Sequence, residues 1–266
     1  MIQNRKLLRY CWLLSLLIVF PKIVQGIDHN NIDAGRPLTF DDAEAVAFRE
    51  RSVEVGLGGI LPDRGSAGLS FDAGFIYGFA LNSHMTLDID AITGGRAGST
   101  DKNIQIDGLK FGAFHNFNRE IGNSPAFSIL TNVTVPTEED ASGIEIQIRG
   151  IVSKALFQYG RIHLNLDGIV KTVTENFERG FRPRLILGYS KPLGYPRSFF
   201  RTGVAELSIR SAELKGSGPV FLAGIGLRQQ VTVRSVIDIG ISSDFWAIDQ
   251  APREDFKVVV GYSTSF

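Results

Sequence analysis

Residues 256–266 read FKVVVGYSTSF. Taken in twos, Phe256, Val258, Val260, Tyr262, Thr264 and Phe266 fall on one side, and Lys257, Val259, Gly261, Ser263 and Ser265 fall on the other. Successive side chains of a strand point to opposite faces, so this stretch predicts one apolar face and one small or polar face. A second sheet or hydrocarbon can cover the apolar face, and the rest of the chain decides between them.

Working outward, Gly-rich alternating segments recur through almost the whole sequence. MTLDIDA sets Met85, Leu87 and Ile89 against Thr86, Asp88 and Asp90, and GIEIQIRG sets Ile144, Ile146 and Ile148 against Glu145, Gln147 and Arg149. RIHLNLDG and VAELSIRS repeat the pattern, and the closing stretch makes the twelfth strand by this reading. Such repetition without helical periodicity is all-β, a barrel or a sandwich. The segments run roughly nine to fourteen residues, long for a sandwich strand but matched to a tilted membrane-crossing one. Connections alternate too: polar stretches such as LPDRGSAG, PTEEDASG and DFWAIDQAPRED against short ones such as NSH and YG. Long outer loops and short inner turns are expected of an antiparallel up-and-down barrel with both termini on one side.

The opening MIQNRKLLRYCWLLSLLIVFPKIVQG carries Arg5, Lys6 and Arg9 before an apolar run too short to span a bilayer, followed by small residues. It predicts a signal peptide over 1–26, a periplasmic N-terminal segment over 27–50 and the transmembrane barrel over 51–266. Cys11 is the one cysteine and falls in the signal, which leaves no disulfide framework. Loss of Arg5, Lys6, Arg9 and Lys22 from 28 bases leaves 24 against 28 acids. That mild acidic balance speaks against nucleic acid as a partner.

In hydrocarbon every backbone polar group needs an internal partner, so the last strand is expected to pair with the first. The polar face then lines a lumen. In this register it carries Glu54, Asp72, Asp88, Asp90, Glu145, Asp167, Glu206 and Asp238 with Lys110, Arg149, Arg161, Arg182, Arg184, Arg210, Arg228, Arg234 and Lys257. Near balance of sign is what ion-pair ladders across a narrow interior require. The alternation breaks near Gly150 and near Gly203, and a bulge is expected at each. TFDD, residues 39–42, is a capping pattern for a short helix through Ala47, expected to lie at the barrel rim rather than inside it.

The stretches GRPLTFDDAEAVAFRERSVEVGLGG (35–59), PAFSILTNVTVPTEEDASGIEIQIRGIVSKAL (125–156) and RIHLNLDG (161–168), with the aromatic terminal strand, resemble the transporter-like outer-membrane proteins of the meta-pathway phenol-degradation group. The likeness spans nearly the whole chain beyond the signal and rests on architectural motifs. It implies a Gram-negative-type barrel and a small solute, hydrophobic or aromatic ones included. The terminal strand also resembles the signal read by the outer-membrane assembly machinery, which with outer-membrane lipid is an expected partner.

Candidate chemistry is sparse. A lipid hydrolase needs a serine, a histidine base and an orienting group within reach. Ser83 with His84, and His115 with Asn116, are sequence neighbours and would point to opposite faces. Asp88 with Asp90, and the loop acids Glu138, Glu139 and Asp140, lack calcium-loop spacing. No metal, cofactor or catalytic residue is expected. The candidate lumen-lining residues for a solute are Arg149, Arg161, His163, Asp167, Arg184, Glu206 and Arg210. A ring of arginines biases a pore toward anions, whereas arginines paired with Glu145, Asp167 and Glu206 brace the wall. The reading that results is a channel or transporter for small solutes. The alternatives are a lipid-modifying hydrolase and a structural or adhesive barrel acting through its loops.

Overall fold

A computed structural model describes residues 36–95, 103–137, 143–156, 159–194, 196–198, 200–248 and 251–266. The expected signal over 1–26, His29 and the loop acids Glu138, Glu139 and Asp140 lie outside these residues. Twelve strands are present among them: β1 (Arg51–Pro62), β2 (Gly68–Ala80), β3 (Ser83–Thr93), β4 (Ile104–Asn118), β5 (Ala126–Val135), β6 (Glu145–Ala155), β7 (Arg161–Lys171), β8 (Phe181–Pro192), β9 (Arg201–Arg210), β10 (Val220–Thr232), β11 (Ser235–Ala247) and β12 (Glu254–Ser265). Each pairs antiparallel with its sequence neighbours, and β12 pairs with β1, so the sheet closes. The seam runs from Ser52 opposite Ser265 to Leu61 opposite Phe256, and the Phe266 N–H donates to the Arg51 carbonyl at 2.9 Å. The terminal strand therefore completes the wall.

Outward positions are apolar around the whole circumference. Leu57, Leu69, Leu166, Leu207 and Ile225 are each more than half exposed. A belt of this extent in water would far exceed the patches that soluble proteins leave open. Hydrocarbon is the medium that matches it, and closure leaves no strand edge unpaired there.

Two expected bulges are absent. Pairing runs unbroken through Gly150, opposite Ile129 and Leu166, and through Gly203, opposite Leu227 and Lys191. The real interruptions lie elsewhere, for example where Asp90 faces Gly108 and Ala91 faces Ile106. Apolar residues at Ile151 and Val204 had suggested a change of phase, yet both simply point inward and are buried. They can do so because the lumen contains something apolar to pack against.

That something is the N-terminal segment. Residues 36–50 run inside the barrel, and among the described residues they form no helix. Both the capped helix and its rim placement are thus overturned. Phe40, Asp42 and Ala43 are almost fully buried. Leu38 and Phe40 form a small core with Ile186 and Val204, and Ala43 forms another with Phe114, Ala126, Leu130 and Ile151. An isolated helix of so few residues gains little by itself, while an extended chain offers its backbone to wall side chains along its whole length. Arg49 takes a left-handed φ of 67° where the segment turns into β1. Arg234, expected on the lumen wall, lies in the tight turn between Thr232 and Ser235.

Candidate functional site

The segment circles the inner wall as it descends to the rim where β1 begins and β12 ends. Arg36 starts near mid-wall, paired with Glu54 of β1 at 3.0 Å and Asp72 of β2 at 2.9 Å. Pro37 passes so close to β11 that a Cβ on Gly240 would sit 2.5 Å from its carbonyl oxygen, so glycine is what admits the chain there. The Phe40 ring stacks on the His163 ring of β7 at 5.2 Å and covers Gly188 of β8, where an added Cβ would lie 2.5 Å away. Asp41 pairs with Arg149 of β6. Beyond Ala43, the Val46 N–H donates to Nδ1 of His84 on β3 at 3.3 Å. The Arg49 N–H then donates to the Gly78 carbonyl of β2 at 2.6 Å, and β1 begins.

Ion pairing is densest opposite Asp41. Arg149 donates Nε to Asp167 Oδ1 at 2.6 Å and Nη2 to Oδ2 at 2.9 Å, while Arg184 Nη2 lies 2.6 Å from the same Oδ2. Two guanidinium groups and two carboxylates thus share one buried cluster, which balances its charge. Burial pushes the Asp41 carboxyl above its ordinary range, against the opposing pull of Arg149. His163 bridges Ser153 and Ser190, at 2.9 Å from each hydroxyl. Ser153 Oγ also accepts the Ala43 N–H at 2.9 Å, so one hydroxyl serves both the segment and the His163 ring.

Of the candidate residues, Arg149, Asp167 and Arg184 come together in this cluster, and His163 lies beside it under Phe40. Glu206 joins through Thr39, whose N–H and hydroxyl both donate to Oε2, rather than through an arginine. Glu145 is the partner of Arg182. Arg161 sits toward the inner rim against Glu44 at 2.6 Å, and Arg210 binds Asp244 at 2.6 Å toward the other end. The sequence reading missed Arg36, Asp41, Asn165, Ser153 and Asn116 as a set. Inward-facing Asn and Ser in an otherwise charged row were the available signal: uncharged polar groups in a dry lumen need a backbone or side chain to bond.

Above the segment a cavity of about 480 Å³ remains, floored by Arg36 to Thr39. Asp72, Asp88 and Asp90 of β2 and β3 line it beside Arg36 and Lys110, and Arg149 and Arg184 of β6 and β8 line it beside Asp41.

No protein-family model matches the sequence, and no curated protein matches it. Among solved structures, the barrel is similar to the COG4313 outer membrane channel from Pseudomonas putida F1, with a TM-score of 0.65 and 12% identity over 85% of this chain and 98% of that one. It is also similar to the NanC porin, with a TM-score of 0.57 and 8% identity over 81% of this chain and 100% of that one. At such identities the likeness is one of fold: a closed antiparallel barrel of the outer-membrane channel and porin type.

Proposed function

We propose that this barrel is an outer-membrane channel for small solutes, performing no covalent chemistry, and that residues 36–50 hold its passage shut. The observation that carries the reading is the occupied lumen. Below a charged cavity, the lumen holds a piece of chain that belongs to no strand and is fixed to the wall by ion pairs and side-chain hydrogen bonds. Such a piece can leave without breaking a single rung of the ladder. Delivery through the assembly machinery by β12, and an aromatic solute of the phenol type, are further parts of this proposal that follow from the sequence resemblance.

The test is conductance in planar bilayers. The unmodified chain should conduct weakly. The double variant Arg36→Glu and Asp41→Arg puts like charges opposite Glu54 with Asp72 and opposite Arg149 with Arg184, and should conduct severalfold more. Uptake of phenol and of small ions into vesicles carrying that variant identifies which class passes. Absence of conductance and of uptake in both proteins would remove the channel reading.

One observation favours the hydrolase alternative. The β3–β4 register sets Ser83 opposite His115 on the outward face, with Ser83 Oγ 2.8 Å from Nδ1. Neither sequence neighbour had suggested this pair. Among the described residues no carboxylate is bonded to His115, whose ring meets the edge of Phe117 at 5.0 Å. A serine–histidine pair without an orienting group is a poor nucleophile. Ser83→Ala should therefore leave any phospholipid release by purified protein unchanged.

A further inference from the structure

The bonds to residues 39–43 follow a rule of their own. Thr39, Asp41 and Ala43 each have both backbone groups met by wall side chains. The Thr39 N–H donates to Glu206 Oε2 at 2.9 Å, and its carbonyl accepts from Arg149 Nη1 at 2.9 Å. The Asp41 N–H donates to Asn165 Oδ1 at 2.7 Å, and its carbonyl accepts from Asn165 Nδ2 at 2.9 Å. The Ala43 N–H goes to Ser153 Oγ, and its carbonyl accepts from Ser128 Oγ at 2.7 Å and from Asn116 Nδ2. Reading N–H and C=O of every second residue is what one strand does to the next in a sheet. The wall's own backbone is spent in the barrel ladder, so side chains perform the reading here.

Between these contacts lie places for side chains. Leu38 fits against Ile186 and Val204, and Phe40 lies on Gly188 and His163. Ala43 is fully buried in a cluster with Phe114, Ala126, Leu130 and Ile151. Arg36 and Asp41 meet wall groups of opposite charge. Apolar burial alone could have held a plug. Asn165 and Ser153, both fully buried, add a recognition of backbone that does not depend on which residue supplies it.

We propose that the lumen wall is a binding track for an extended peptide, occupied at rest by residues 36–43. Its ligand class is a short peptide with a basic residue, apolar residues two and four positions on, an acid five positions on and a small residue seven positions on. The proposal rests on the channel reading for what passes the barrel; the binding itself does not need conduction. A tethered occupant acts at an effective concentration on the order of millimolar, so a free peptide competes poorly until the tethered copy is dislodged.

The test uses the full chain carrying Arg36→Glu and Asp41→Arg, in detergent, with its heat-resistant gel mobility checked against the unmodified chain. Fluorescence anisotropy follows three dye-labelled peptides: a copy of residues 34–47, a scrambled copy, and a copy N-methylated at the amides of residues 41 and 43. The native copy should bind. The scrambled and N-methylated copies should bind about tenfold or more weakly, the scale of one lost buried hydrogen bond or more. The unmodified chain should bind the native copy at least about tenfold more weakly than the variant. Equal binding of the three peptides, or no binding of the native copy to the folded variant, overturns the track while leaving the conductance test untouched.

Discussion

Asp41 is where a single proton should matter. Docked, its carboxyl is fully buried beside Arg149, Asp167 and Arg184 and titrates above its ordinary range. Released into water it returns to about 4. The docked form therefore holds its proton over a window in which the released form does not. Lower pH then favours docking, and raising the pH from about 4 through the elevated value favours release. Conductance in bilayers should rise over that window, and Asp41→Asn should flatten the profile. Asn165→Ala is a second lever at this scale. It strips both partners from the Asp41 backbone, each orphaned group costing about 1–3 kcal/mol, and should raise open probability at constant pH. Gly188→Ala should act the same way by placing a methyl where the Phe40 ring lies. The sequence announced the charges at Arg149, Asp167 and Arg184 as inward-facing, because alternation fixes the face. It could not announce Asn165 or Ser153 as backbone readers, since the chain they read lies more than a hundred residues away.

At the scale of an element, β12 shows how sharply the two faces differ. Val260 points outward and Val259 lines the cavity. Val260→Arg puts a charge into hydrocarbon near mid-strand and should cost roughly 2–4 kcal/mol, read as a lower urea midpoint in vesicles. Val259→Arg faces the cavity and should cost far less. Strand existence and face were legible in the sequence, because period-two alternation depends only on local geometry and the solvent on each side. Phase at Ile151 and Val204 was not. An inward apolar side chain in a water-filled lumen would be an error, so a bulge was the economical reading; with Leu38, Phe40 and Ala43 inside, the same residues obey the unbroken register. The helix over TFDD failed for a related reason: local capping was outweighed by tertiary bonds from opposite sides of the barrel.

Across the whole molecule, closure and occupancy are separate facts. The β1–β12 seam makes the wall self-sufficient, and residues 36–50 lie inside it, tied to its side chains. Variants that unseat the segment should consequently change conductance while leaving the unfolding midpoint of the barrel nearly unaltered. A merged transition, with both falling together, would mean that the segment is part of the fold's core. The turn at Ala47–Glu50, held to Gly78 at the rim, remains as an anchor when the rest departs. Thirteen residues from Arg36 to Phe48 can reach about 43 Å when extended. An unblocked copy would trail at least that length of bare chain beneath the membrane, on the face where β1 begins and β12 ends. A protease confined to that compartment would clip conducting copies and spare silent ones, so the ratio of the two could be counted on a gel without passing any current.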